Sequence, residues 1–533
     1  MKFNIPLPPI PEGQNSSLIR QLLDSIERQG SIIEQQAEQI QLLKDEIARL
    51  KKKPPRPTIR PSSLEKKAAD KKKRKGNKRP GSNKRKKTAQ LTIHDTFPIP
   101  LENIPEGAEF KGYKPFVVQG LKIRVHNTKY LLATYETADG KYICSKLPEH
   151  LNGKHFSPEL VSYILYQYHH CGVTQPLLLE QLREFEIDIS KGQLSNILIE
   201  GKEAFHNEKD RILTVGLEVS NYINVDDTGA RHKGKNGYCT QIGNESFSWF
   251  ESTASKSRIN FLKLLRAGNS DFVINMDSIF YMQYNKLPQK PLEAITENRD
   301  MIFANESQWN DFLAQNGIVK DRHVKIATEG ALIGSIIERG ISKHLVILSD
   351  DAGQFNVLLH ALCWIHANRA IDKIIPFTDQ AKKDLDTVKD RVWELYKGLK
   401  AYKQNPKAKE KKRLTVMFDK IFTQTTSSAS LNAVLKRINN NKSELLLVLE
   451  RPDIPLHNNG VESAIREYVK KRKISGSTRS ESGRQCRDTF TSLKKTCRKL
   501  GISFWQYLED RIEKINRIPD LSDIIRQRAL NPG

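Results

Sequence analysis

Close cysteine pairs are missing from this chain. Its six cysteines (Cys144, Cys171, Cys239, Cys363, Cys486 and Cys497) lie far apart, with no CxxC among them. That excludes a zinc ribbon and argues against a disulfide framework, so reduced thiols in a cytoplasmic protein are expected. Long apolar runs are missing too. No stretch approaches the ~18–20 residues that span a bilayer, and no signal-peptide core opens the chain, so a soluble protein with no membrane partner is expected. Acidic residues are scarce in one place. Residues 51–87 hold 18 Lys and Arg against only Glu65 and Asp70, and so supply 16 of the chain's 25 net positive charges. A cationic tract this concentrated meets a polyanion, and nucleic acid is the default.

What is present divides the 533 residues into several parts, as expected above the ~250–300 residues at which single cores stop growing. Ile19, Ile26, Ile33, Ile40 and Ile47 fall seven apart, with Leu22, Gln29, Gln36, Leu43 and Leu50 at the matching d positions. Ile at a and Leu at d predict a parallel two-stranded coiled coil over 16–50, hence a homodimer or higher homo-oligomer. The basic tract that follows has too little apolar content to offset its ordering entropy. Four strand-like runs (115–118, 121–125, 129–135 and 141–144) predict a small antiparallel sheet, with Asp139-Gly140 as a hairpin signal. Ser157-Pro158 and the capping-box spacing Ser190 to Gln193 open helices in the next part, a helix-turn-helix candidate with 190–205 as its recognition helix.

Three acidic stretches carry the chemistry. Val225-Asp226-Asp227-Thr228 and Leu348-Ser349-Asp350-Asp351 each close an apolar, β-prone run, and Asn458-Asn459-Gly460-Val461-Glu462 opens a helix-like segment. Carboxylates at two strand ends and on a later helix suit a pair of hard divalent metal ions performing phosphoryl transfer. Strand alternation lets only one of Asp226 and Asp227 face such a site. The same choice stays open between Asp350 and Asp351. On the last helix Glu462, Arg466, Lys470 and Lys473 recur at helical spacing and share a face, which would set phosphate-binding cations beside a carboxylate.

Strand meander, helix, strand, helical insertion and acidic helix describe an α/β, RNase H-like (retroviral-integrase-like) core. Asn224-Val-Asp226-Asp-Thr228, Asp350 with Cys363-Trp364-Ile-His366-Ala-Asn-Arg369, and Asn458-Asn459-Gly-Val-Glu462-Ser-Ala-Ile-Arg466 resemble the DDE transposases of the insertion-sequence-66 family. Lys471-Arg472-Lys473 and the tail through Trp505 to Leu508 are similar to that family as well. The resemblance runs from about 110 to 512. It implies Asp226, Asp350 and Glu462 as catalytic metal ligands for Mg²⁺ or Mn²⁺, with Asp227, Asp351, His366, Arg369 and Asn459 supporting them. Arg466, Lys470, Lys473, Lys71, Lys72, Lys73 and Arg74 would then contact DNA. Members commonly carry a Cys-rich segment where this chain has only Cys144, so zinc is not expected.

The expected domains are a coiled coil (1–52), a disordered basic linker (53–90), a small β domain (91–150) and a helical DNA-binding domain (151–212). A catalytic core (213–364 with 456–480), a helical insertion (365–455) and C-terminal helices (481–533) follow. The resemblance implies a cytoplasmic, nucleoid-associated transposase that cuts and joins double-stranded DNA at element ends and target. An RNase H-like nuclease or resolvase that cuts without joining, and a transposase-derived DNA-binding protein without catalysis, are the alternatives.

Overall fold

Pairing, rather than hydrophobicity, sets the length of the central strand. The computed structural model describes residues 91–148, 151, 155–376 and 378–531 together with Gln29, and the side chain of Asn459 falls outside that set. Gln29 is helical and exposed; the rest of the expected coiled coil, and Lys71, Lys72, Lys73 and Arg74, lie outside the described residues.

Of the small sheet expected over 91–150, only the hairpin β1 (Thr134–Glu136) and β2 (Tyr142–Cys144) is present, turning through Asp139-Gly140. Residues 115–118 and 121–125 are unpaired among the described residues, with Phe116 89% and Leu121 85% exposed. Strand propensity needs a second apolar layer to pack against, and none faces this segment among the described residues.

Helices α1 (Pro158–Leu165), α2 (Gln175–Glu184), α3 (Lys191–Ile199) and α4 (Glu203–Val219) follow, a π-helical stretch (Tyr166–Cys171) extending α1. Ser157 caps α1, and Ser190 with Gln193 forms the expected capping box. The helix expected over 190–205 breaks after Ile199, at Gly201, whose positive φ ends it.

The central sheet has five strands in the order β5-β4-β3-β8-β9. Here β3 (Tyr222–His232), β4 (Lys235–Gly243) and β5 (Ser248–Thr253) form an antiparallel meander, while β8 (Val346–Ser349) and β9 (Leu359–Leu362) run parallel to β3. The sequence suggests a strand closing at Asp226 and then a turn. Instead β3 runs on to His232 because every residue from Asn224 onward has a partner on β4, ending at His232↔Lys235. Gly237 permits this, since a Cβ there would lie 2.8 Å from the Ala230 carbonyl. Between β5 and β8 come α5 (Arg258–Leu265), a small pair β6 (Phe272–Val273) and β7 (Ile302–Phe303), and α6 (Met276–Tyr284), α7 (Gln289–Glu297), α8 (Glu306–Gln315) and α9 (Asp321–Glu338).

Two helical layers enclose the sheet. Ile223, Val225, Ile242 and Trp249 pack in the main core with Phe261, Leu262 and Leu265 of α5. After β9 come α10 (Trp364–Asp372) and the insertion helices α11 (Asp379–Gln404), α12 (Ala408–Phe422), α13 (Ala429–Asn440) and α14 (Lys442–Leu445). The chain then returns as α15 (Asn459–Ser475), whose Ala464 and Tyr468 pack on Ala230, Cys239 and Phe250 of the opposite sheet face. On α16 (Glu481–Leu500), Asp488, Ser492 and Thr496 accept hydrogen bonds from the backbone N–H groups of Ser252, Phe250 and Ser248. Four helical residues rise ~6 Å and two strand residues ~6.6 Å, so a side chain every turn matches a free N–H every second residue and covers the edge strand. Helices α17 (Phe504–Ile512) and α18 (Leu521–Leu530) close the fold, and no described helix is long and apolar enough to cross a membrane.

Candidate active site

The two central strands of the sheet bring the acidic stretches together. Asn224 of β3 pairs with Leu348 of β8, so Asp226, within β3, comes level with Asp350, just past the end of β8. The start of α15 is tied to that end. Asn458 is fully buried and donates from Nδ2 to the Val225 carbonyl at 3.0 Å, while its N–H points at Cys363 Sγ at 3.3 Å. The Trp364 N–H donates to the Leu456 carbonyl at 3.0 Å.

These contacts explain the Cys-Trp-x-His-x-x-Arg run. Trp364 is buried, donates from Nε1 to the Leu445 carbonyl at 2.9 Å, and packs against Phe418 and Phe422 of the insertion. With Trp364 fixed, His366 and Arg369, three apart on α10, turn toward α15. Arg369 grips Glu462 with both Nη atoms, at 2.8 and 3.0 Å, and His366 Nε2 lies 3.9 Å from Glu462 Oε1. Burial lowers the His366 pKa and favours the neutral ring, whereas the hydrogen bonds to Glu462 raise that of Arg369.

Strand alternation separates Asp226 from Asp227, and the chain leaving β8 separates Asp350 from Asp351. Asp227 faces away from α15 and accepts from Thr240 Oγ1 at 2.6 Å and Gln354 Nε2 at 3.0 Å. Asp351 turns to the insertion, where Asn441 Nδ2 donates at 3.0 Å and Arg437 pairs at 3.2 Å. Asp226 keeps a hydrogen bond from the Asp227 N–H at 2.7 Å, and Asp350 one from the Ala352 N–H at 3.1 Å. Among the described residues no cationic side chain bonds to either. Burial pushes the Asp226 carboxyl up to about 7, helped by the negative charge of Asp350 and, less, those of Asp227 and Glu462.

Glu462 stands apart from that pair, with both oxygens on Arg369. Among the described residues no three His, Cys, Asp or Glu side chains are grouped to hold a metal ion. Asp226 and Asp350 nonetheless fit a hard cation: they offer oxygen donors only and have no cationic partner among the described residues, and Asn458, bonded through Nδ2 to the Val225 carbonyl that precedes Asp226, has a buried, unpartnered Oδ1. Along α15, Arg466, Lys470 and Lys473 are exposed, and Arg466 reaches Glu462 Oε2 at 3.5 Å. Thr240, Gln354 and Asn458 were not foreseen as site residues. Only Asn458, in the doubled Asn before the helix, carried a signal in the sequence.

The profile of the Transposase IS66 family matches residues 342–486, a span that includes Asp350, the Cys363–Arg369 run and the acidic helix. The uncharacterized protein y4jO of Sinorhizobium fredii (strain NBRC 101917 / NGR234) is 43% identical over 303 residues, 56% of this chain and 94% of that protein. The family defines a transposase, a DNA-processing protein. This chain belongs to the transposase IS66 family.

Proposed function

We propose that the chain binds the ends of a bacterial insertion sequence and cuts and joins DNA strands by in-line attack at phosphodiesters, with Asp226, Asp350 and Glu462 as its catalytic carboxylates. The strand order, with three antiparallel strands followed by two parallel ones, supports an RNase H-like core. The observation that carries the proposal is the meeting of Asp226 and Asp350 on two neighbouring central strands, a desolvated carboxyl beside a half-buried one, with no cationic side chain bonded to either among the described residues. A Mg²⁺ or Mn²⁺ ion held there would activate the attacking oxygen and stabilise the leaving one.

The remaining residues position. From α10, Arg369 and His366 hold Glu462 of α15, so that Glu462 joins the pair by leaving Arg369. Asp227 stays fixed by Thr240 and Gln354 and keeps β3 in place. Arg466, Lys470 and Lys473 offer phosphate contacts on the exposed face of α15. DNA is the partner, and self-association through residues 16–50 would bring two element ends together.

The test is strand joining. Purified protein, an oligonucleotide duplex of the element end with a free 3′-hydroxyl, supercoiled target and Mg²⁺ should give covalent joined product. Cleavage without joining would favour the resolvase reading, and neither reaction a protein that has lost catalysis.

A further inference from the structure

Beyond the carboxylate end, β3 and β4 continue as a two-stranded arm toward a tip at 231–235. The connection is the two-residue loop Lys233-Gly234, with φ of +47° and +76°. Both positive values define a type I′ turn, whose first position favours Asn, Asp or Gly, so Lys233 is held in a conformation lysine rarely adopts. The turn fixes the backbone from which the Lys233 side chain leaves the tip.

The tip is braced from outside the sheet. The segment after α15 adds a parallel bridge, Thr478 to His232, with Lys233 N–H donating to the Thr478 carbonyl at 2.8 Å and Thr478 N–H to the Arg231 carbonyl at 3.1 Å. His232 Nδ1 also meets Thr478 Oγ1 at 2.9 Å. On this scaffold Arg231, Lys233, Lys235, Lys473 and Arg479 are exposed, and Arg472 lies against Thr228 and the Gly229 carbonyl. None of these six is in an ion pair among the described residues. Glu481, the acid at the tip, is taken by Arg484 and lies 3.6 Å from His232. Two cavities open here, one of about 310 Å³ between the tip and Arg484, and one of about 290 Å³ between Arg231, Tyr238 and Arg472.

The geometry points to this arm as a grip for the phosphates of double-stranded DNA flanking the reaction site. It deepens the transposase proposal, since it names the surface that holds the substrate. At ~3.3 Å per strand residue the cations begin with Arg472, beside Thr228 and ~7 Å from Asp226, and end at the tip ~20 Å away, so the row covers the length of ~4 base pairs. A braced row of cations on that scale suits a regularly spaced polyanion, and a backbone fixed before binding adds no ordering cost of its own on contact.

The test is fluorescence anisotropy of the full chain with a random-sequence duplex of about 30 base pairs, across a salt series. Arg231→Ala, Lys233→Ala and Lys235→Ala together should weaken binding about tenfold or more at physiological salt. They should also lower the slope of log K against log salt by about 2–3, at ~0.9 per lost phosphate contact. Removing equal charge from the insertion (Lys407→Ala, Lys409→Ala, Lys412→Ala) should change the slope by less than about 1. The pair Lys233→Glu and Lys235→Glu leaves the Arg231 contact with Asn236 intact and should weaken binding in the same direction. Thermal unfolding at the wild-type midpoint establishes that each variant folds. A hairpin variant with the wild-type slope, or a control that falls as far, overturns the arm alone. A wild-type chain that binds no duplex overturns the transposase proposal and the arm with it.

Discussion

β3 and α15 both run from acid to base, and the two ends handle charge in opposite ways. At the acidic end Asp226, Asp350 and Glu462 are drawn toward the interior, where burial raises the Asp226 pKa and Arg369 occupies Glu462. At the basic end Arg231, Lys233, Lys235 and Lys473 stand in water without acid partners among the described residues. Desolvated charges act strongly on atoms within a few ångströms, whereas solvated ones act on a polyanion through ion release. One pair of elements therefore separates chemistry from grip.

The sharpest way to break that comparison is to neutralise each end in turn. Asp226→Asn should cut single-turnover cleavage by about 10³-fold or more at saturating protein, while duplex affinity moves less than about threefold, because a group acting only in the transition state leaves ground-state binding intact. A cleavage loss that more protein restores would assign Asp226 to binding instead.

A smaller effect is expected at the holder. Arg369→Met leaves Glu462 nearly buried without its two-pronged partner and should cost about 2–4 kcal/mol in chemical denaturation. Arg369→Lys keeps the charge but loses the fork, and should fall between wild type and Met. Wild-type stability in the Met variant would mean that the pair contributes nothing to the fold.

The smallest effect lies at the base of the grip. Lys471 is pressed between Tyr168 and the cations Arg487 and Lys494, and burial foremost, then Arg487, lowers its pKa to about 7. The folded chain therefore releases this proton near pH 7, and the unfolded chain holds it until near 10. The unfolded state binds more protons across that window, so this residue's contribution to stability increases as pH rises through it. Lys471→Met should remove that rise and add about 1–2 kcal/mol at pH 6–7. A parallel pH profile in the variant would show that Lys471 keeps its charge in the fold.

Much of the acidic end was legible in the sequence and little of the basic end. The apolar runs before Asp226 and Asp350, and the doubled Asn before Glu462, mark two strands and a helix start by local chemistry alone. Asp-Asp-Thr-Gly-Ala-Arg-His after Val225 reads as a turn, because its charges and glycine carry no strand pattern; only the cross-strand partner on β4 extends it. The opposite error occurs over 115–125, where a good strand pattern finds no layer to pack against. The partner that holds Glu462 was also out of reach. Arg369 lies far from it in sequence, and Trp364, seated in the insertion, orients the helix between them.

The division of chemistry from grip rests on a cation being held between Asp226 and Asp350, and one measurement addresses it directly. A crystal of the protein with a duplex end, soaked in Mn²⁺ and measured at the manganese edge, should give an anomalous peak at about 2 Å from carboxylate oxygens of both residues. Asp226→Asn should abolish that peak. A peak centred on Asp227 or Asp351, or none at these two strands, would contradict the assignment.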